Sequence, residues 1–241
     1  MHALNAIDWS GVALWLLSWS VYGAWAARSS LNNPSLMGTV AHYRRTWMRE
    51  AFKRENRITD SALVNSLMQS ATFFSSTTVL ILGALFAVLG SIERNPTDIL
   101  DVVKSLPLAR VVSQQLLEIK VLLLALVFVY AFLRFTMSLR QFNLINILIG
   151  AFPTQAPGTE ALPTKPDDPM VTQSAGLNEL AGNNFTHGLR AFYFAMPVVL
   201  WLVNSWLFLA GTVVITFVTY YMEFHSATVR ALSPQSAGDK V

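Results

Sequence analysis

The chain has 241 residues, of which 53% are hydrophobic and 13% charged; the charged share is about half that of an average soluble domain, so most of its surface is built for lipid. With no cysteine, disulfides, thiolate metal sites, iron–sulfur ligation and a cysteine nucleophile are excluded. A formal charge of +3 reads as the basic excess of a membrane protein facing anionic cytoplasmic lipid, and not as a nucleic-acid footprint.

The opening MHALNAIDWSG lacks the basic n-region of a signal peptide, so the first apolar segment is expected to be retained. Residues 9–27 carry no charge, with Trp9 and Trp25 near the two ends. Indole rings prefer the membrane interface, and this is the first predicted crossing. Residues 35–58 follow as a basic amphipathic helix, signalled by Asn33 and Pro34 at its start. Leu36, Val40, Tyr43, Trp47, Ala51, Arg54 and Ile58 recur at helical steps, while Arg44, Arg45, Arg49, Glu50 and Lys53 occupy other faces. Such a helix is expected to lie on the cytoplasmic membrane surface, among anionic lipids.

Further crossings are predicted at 71–92, 116–137 and 191–222, the last loosened by Pro197. A proline-rich linker spans 152–169, and no internal repeat is present. Loop one carries seven basic residues and the loop between spans two and three carries Arg94, Lys104 and Arg110. The positive-inside rule then places loops 28–70 and 138–190 in the cytoplasm and both termini outside. The expected fold is all-α: one polytopic membrane domain with about four transmembrane helices and one interfacial helix, in a bacterial inner membrane.

Intramembrane polar residues are the default places to look for function. No Asp or Glu falls within 9–27, 61–92, 119–149 or 191–222, which argues against a proton-coupled carrier or a cation channel. Arg134 is the one deep charge. It lies fourteen residues beyond Lys120, roughly 21 Å into the core at about 1.5 Å per residue. Two readings stay open: its stem snorkels to the headgroups, or it faces the bundle and holds an anion, a lipid phosphate or a carbonyl. Ser75, Ser76, Thr77 and Thr78 fall at a similar depth and either bond back to carbonyls one turn earlier or, in part, reach toward Arg134. Arg140, Asn143 and Asn146 share a helix face and, with Gln141, His187 and Arg190, either cap helix ends or line a cytoplasmic vestibule. Gly83 and Ala87, with Gly90 beyond, form a small-residue face for packing or oligomer contacts, and Asn204 is expected to bond between helices or subunits. The four histidines, His2, His42, His187 and His225, show no metal spacing. No catalytic motif, cofactor site or metal site is read from the sequence.

The segments HYRRTWM (residues 42–48), FFSSTTVLILG (73–83), LRQFNLINILIGAFP (139–153) and HGLRAFYFAMPVVLW (187–201) resemble bacterial membrane proteins grouped as domain of unknown function 599, over residues 15–218. The resemblance implies a multi-span membrane protein and transfers no catalytic or binding residue. The expectation is a homo-oligomeric pore or transport module for an anion or small neutral solute. An accessory or scaffold subunit of a larger membrane complex is the first alternative, and a lipid-modifying enzyme the last.

Overall fold

The computed structural model describes residues 6–29, 35–105, 108, 113–153 and 168–232, and among these it is helical with no strand. The helices are α1 (Ala6–Ser29), α2 (Leu36–Lys53), α3 (Ile58–Arg94), α4 (Pro96–Ser105), α5 (Gln114–Ala151), α6 (Pro169–Val203), α7 (Ser205–Phe224) and α8 (Ala227–Leu232). Residues 154–167 of the expected linker, the start signal at Asn33 and Pro34, His2 and Arg110 lie outside the described residues.

Local chemistry sets the helix starts. The Ser35 hydroxyl accepts from the Gly38 N–H at 3.0 Å and opens α2. Ser113 does the same for α5, and Asp168 caps α6 with Pro169 in its first turn. Among the described residues, four segments are long and apolar enough to cross a membrane: α3, α5, α6 and Ser205–Leu232.

The segment 191–222, expected to be one crossing, is instead two antiparallel helices. Asn204 is extended (φ −157°, ψ 137°), and its side chain accepts from the Trp206 N–H at 2.9 Å, capping α7. The chain reverses there, so Trp201 stacks on Phe208 and, at the far end, Arg190 pairs with Glu223. Gly211 lets the helices close up, since a Cβ there would meet Leu200 at 2.8 Å. Hydropathy cannot see this break, because one residue makes it and both arms stay apolar.

Side-chain pairings fix the other helix directions. Lys120 reaches Trp201 while Ser138 reaches Ala181, so α5 and α6 are antiparallel. Gln114 reaches Ile92 while Asn146 reaches Asn65, so α3 and α5 are antiparallel too. Asp8 bonds Trp201 and Trp15 bonds the Phe194 carbonyl, so α1 runs antiparallel to α6 and parallel to α7. The two ends of α7 therefore lie at opposite ends of the assembly, and Glu223 arrives beside α2, where it accepts from the Met37 N–H at 3.3 Å. The first turn of α1 and the last turn of α7 thus lie at opposite ends of the helix assembly.

α7 has 20 residues, about 30 Å, which matches a bilayer core. α3, α5 and α6, at 37, 38 and 35 residues, are about 53–57 Å long, and their excess projects from the α2 end. There α2 stands upright against them and completes a four-helix extension with its own core. Met48, Ala51, Phe52, Val64, Phe142, Ile145, Ile149 and Val171 are all buried in it. Met48, Ala51 and Phe52 on the apolar face of α2 are thus buried by protein, while Tyr43 stays exposed. The predicted helix 35–58 also ends at Lys53 and restarts at Ile58, whose N–H bonds the Asn56 side chain.

Candidate functional site

The polar residues of the membrane-proximal half gather on α5 and α6. Arg134 turns toward α6, so of the two readings for its side chain the geometry takes the inward one. Its Nε donates to the Tyr130 hydroxyl at 3.0 Å and its Nη1 to the Asn184 side-chain oxygen at 2.9 Å. The guanidinium lies 5.0 Å from the Tyr130 ring centroid, a cation–π contact. The Asn184 amide nitrogen passes on to Gln141 at 2.9 Å. Tyr130 is itself held edge-on by Trp19 of α1. Both partners of Arg134 are neutral, and among the described residues no carboxylate bonds it.

His187 is half-buried on the next turn of α6 and feels the charge of both Arg134 and Arg190. Arg190 is buried and paired with Glu223 at 3.1 Å. The second Glu223 oxygen caps the start of α2 through Met37, where a helix N-terminus favours negative charge. One carboxylate thus ties α6, α7 and α2 together.

The remaining predicted residues separate. Arg140 and Asn143 are exposed on α5 and do not join the Arg134 group. Asn146 turns to α3, donating to Asn65 at 2.9 Å and accepting from Ser61 at 3.0 Å. Thr77 and Thr78 bond back to the carbonyls of Phe73 and Phe74, one turn earlier, and Ser76 is exposed. Gly83 and Ala87 are exposed on α3, and among the described residues nothing lies within 4 Å of a Cβ placed on Gly83. Asn204 serves the turn, capping α7 and donating to the Leu108 carbonyl at 2.9 Å.

Three buried groups were not legible in the sequence. At the α7 start, Asp8 accepts from Trp201 Nε1 at 2.8 Å and from the Ser205 hydroxyl. Lys120, buried beside them, donates to the Trp201 carbonyl at 2.7 Å and lies 5.1 Å from the indole. By sequence both are boundary charges. In the extension, Asp60 is fully buried and accepts from Trp47 Nε1 and Arg54 at 2.8 and 2.7 Å. Arg44 fills the space above Gly182, where a Cβ would collide with its guanidinium, and donates to the Asn178 carbonyl at 3.4 Å. Burial pushes the Arg44 guanidinium below its usual range, and the nearby Glu179 opposes that shift. Charge-free runs mark where lipid begins; they do not show which flanking charges fold inward.

Below the Arg134 group the α5–α6 groove opens as an apolar cavity of about 430 Å³, lined by Leu144, Ile147, Leu148, Leu177, Leu180 and Gly176, with Gln173 at its edge.

The family described as protein of unknown function, DUF599, matches residues 10–228. The chain belongs to this family. The match spans all five long helices and the extension, so the resemblance seen in four sequence segments holds over most of the chain. No curated protein and no solved structure matches the chain. Among the described residues no cluster of three or more His, Cys, Asp or Glu is placed to hold a metal.

Proposed function

We propose that this family member is a homo-oligomeric membrane module that binds and passes an anion or a small neutral solute, with the Arg134 group at its inner mouth. The observation that carries this reading is the guanidinium of Arg134 turned toward α6 and held, among the described residues, by the neutral Tyr130 and Asn184. A cation fixed in a partly dry site by neutral partners keeps its charge available for an anion. In this reading α1 is a fifth crossing, so the N-terminus is outside and the basic extension and C-terminus are cytoplasmic, in a bacterial inner membrane. A thin bundle supplies a pathway most easily between copies, and the exposed face of Gly83 and Ala87 suits a contact there. The test is chloride and glycerol flux in proteoliposomes. Arg134→Gln should bring chloride flux down to the protein-free background; flux unchanged by the substitution overturns the reading.

An accessory-subunit reading is favoured by a different observation, the open apolar groove on the extension. A partner protein that co-purifies from the native membrane and is lost with Leu180→Glu would move the assignment there. A lipid-modifying enzyme ranks last, because no nucleophile–base pair is formed by the groups described.

A further inference from the structure

The apolar groove and the Arg134 group are consecutive parts of one furrow. On α5, Leu148, Leu144, Gln141 and Arg134 succeed one another at near-integral helical turns, and on α6 Leu177, Leu180, Asn184 and His187 do the same. The Gln141–Asn184 bond is the rung that joins the two parts. Toward the membrane the furrow is filled by Trp19 of α1, against Tyr130 and Phe194. Beyond the rung it is open, and Leu144, Ile147 and Leu180 are 40%, 60% and 52% exposed.

With α7 taken as a crossing of the bilayer core, the groove lies outside it. The end of α7 is level with Arg190, through its pair with Glu223. Leu180 is ten residues further along α6, about 15 Å out. Lipid tails therefore do not cover this surface. A volume of about 430 Å³ with an almost wholly apolar lining falls in the range of small-ligand sites, roughly 300–1,000 Å³, whose few polar groups fix orientation. Here the Arg134 group stands at one end and Gln173 at the other, and among the described residues no carboxylate bonds Arg134.

We infer that the furrow binds a fatty acid, its carboxylate on Arg134 and Asn184 and its acyl chain along Leu144, Leu148, Leu177 and Leu180. The inference rests on the anion-binding reading of Arg134 and names the anion's class. Charge complementarity selects a carboxylate, which a guanidinium can grip with two parallel bonds. The apolar floor selects a single chain, each buried methylene of which contributes about 0.8 kcal/mol. The head stays at the membrane interface while the chain is drawn out of the inner leaflet.

The experiment measures binding of radiolabelled lauric acid to the full chain in phosphatidylcholine nanodiscs, with empty nanodiscs subtracted. Dodecanol and acetate serve as competitors that keep only the chain or only the charge. Laurate should bind once per chain, and each competitor should compete at least about tenfold more weakly. Gly176→Phe places a ring in the groove from a position where a Cβ meets nothing within 4 Å, and should weaken laurate binding about tenfold while leaving chloride flux intact. Arg134→Gln should weaken both. Laurate affinity unchanged by Gly176→Phe, or matched by dodecanol, overturns the fatty-acid inference whatever the flux shows. A change of assembly mass in Gly176→Phe with laurate affinity intact also overturns it, and makes the groove a contact between copies. Chloride flux unchanged in Arg134→Gln, with laurate binding lost in both variants, overturns the transport reading and leaves this one standing.

Discussion

The rings of Trp201 and Phe208 stack across the Asn204 break with centroids 5.0 Å apart. Two residues seven apart in sequence meet face to face only if the chain has doubled back. The contact makes α6 and α7 a tight hairpin inside the apolar layer, and it decides on which side of the molecule the C-terminal helix emerges.

The side of each end is open to direct test, because the chain holds no native cysteine. Single cysteines at Ser10, Arg49 and Thr228 are all at exposed positions. With a membrane-impermeant maleimide, Arg49→Cys and Thr228→Cys should label from the same face and Ser10→Cys from the other. Labelling of Thr228→Cys together with Ser10→Cys would restore the single crossing at 191–222.

Arg190 and Glu223 are both buried, and Glu223 also caps α2. Glu223→Leu removes the carboxylate partner of a buried guanidinium, which costs about 3–5 kcal/mol. The double variant Arg190→Met with Glu223→Leu should recover most of that loss, since an apolar pair of similar volume needs no compensation. Thermal unfolding in detergent measures both. Equal loss in the single and double variants would show that the pair does not act as a unit.

Gly182 and Gly83 should respond oppositely to alanine. At Gly182 the new methyl displaces the Arg44 guanidinium and loosens α2 from α6, at a cost of about 1–3 kcal/mol for overpacking. At Gly83 nothing among the described residues lies within 4 Å, so alanine should stabilise the helix by about 0.5–1 kcal/mol. Hydrogen exchange of the α2 amides reads the first change locally. Protection of α2 unaltered in Gly182→Ala would mean that Arg44 does not anchor the helix.

Asn178 is fully buried, and neither atom of its side-chain amide meets a partner. An unsatisfied buried polar group costs about 1–3 kcal/mol, so Asn178→Leu, nearly equal in shape, should raise the unfolding midpoint. Arg44 keeps its bond, which goes to the Asn178 backbone carbonyl. A lowered midpoint would refute the assignment of Asn178 as a stability defect in this packing.

By itself the sequence determined the helical class, the apolar stretches inside α3 and α5, and Arg134 as the charge that needs explaining. These are local matters: hydropathy, period and the cost of a charge are written in the residues around each position. Only the tertiary structure decided that 191–222 folds back on itself, that α2 stands on protein and not on lipid, and that Asp8, Lys120, Asp60 and Glu223 turn inward. The physical reason is the same in each case. An apolar helix face is satisfied equally by lipid or by another helix, and a reversal needs only one extended residue whose own side chain caps the next helix. A flanking charge is offset by a partner far along the chain, such as Trp201 for Asp8 or Arg190 for Glu223, and that partner is known only once the helices are packed.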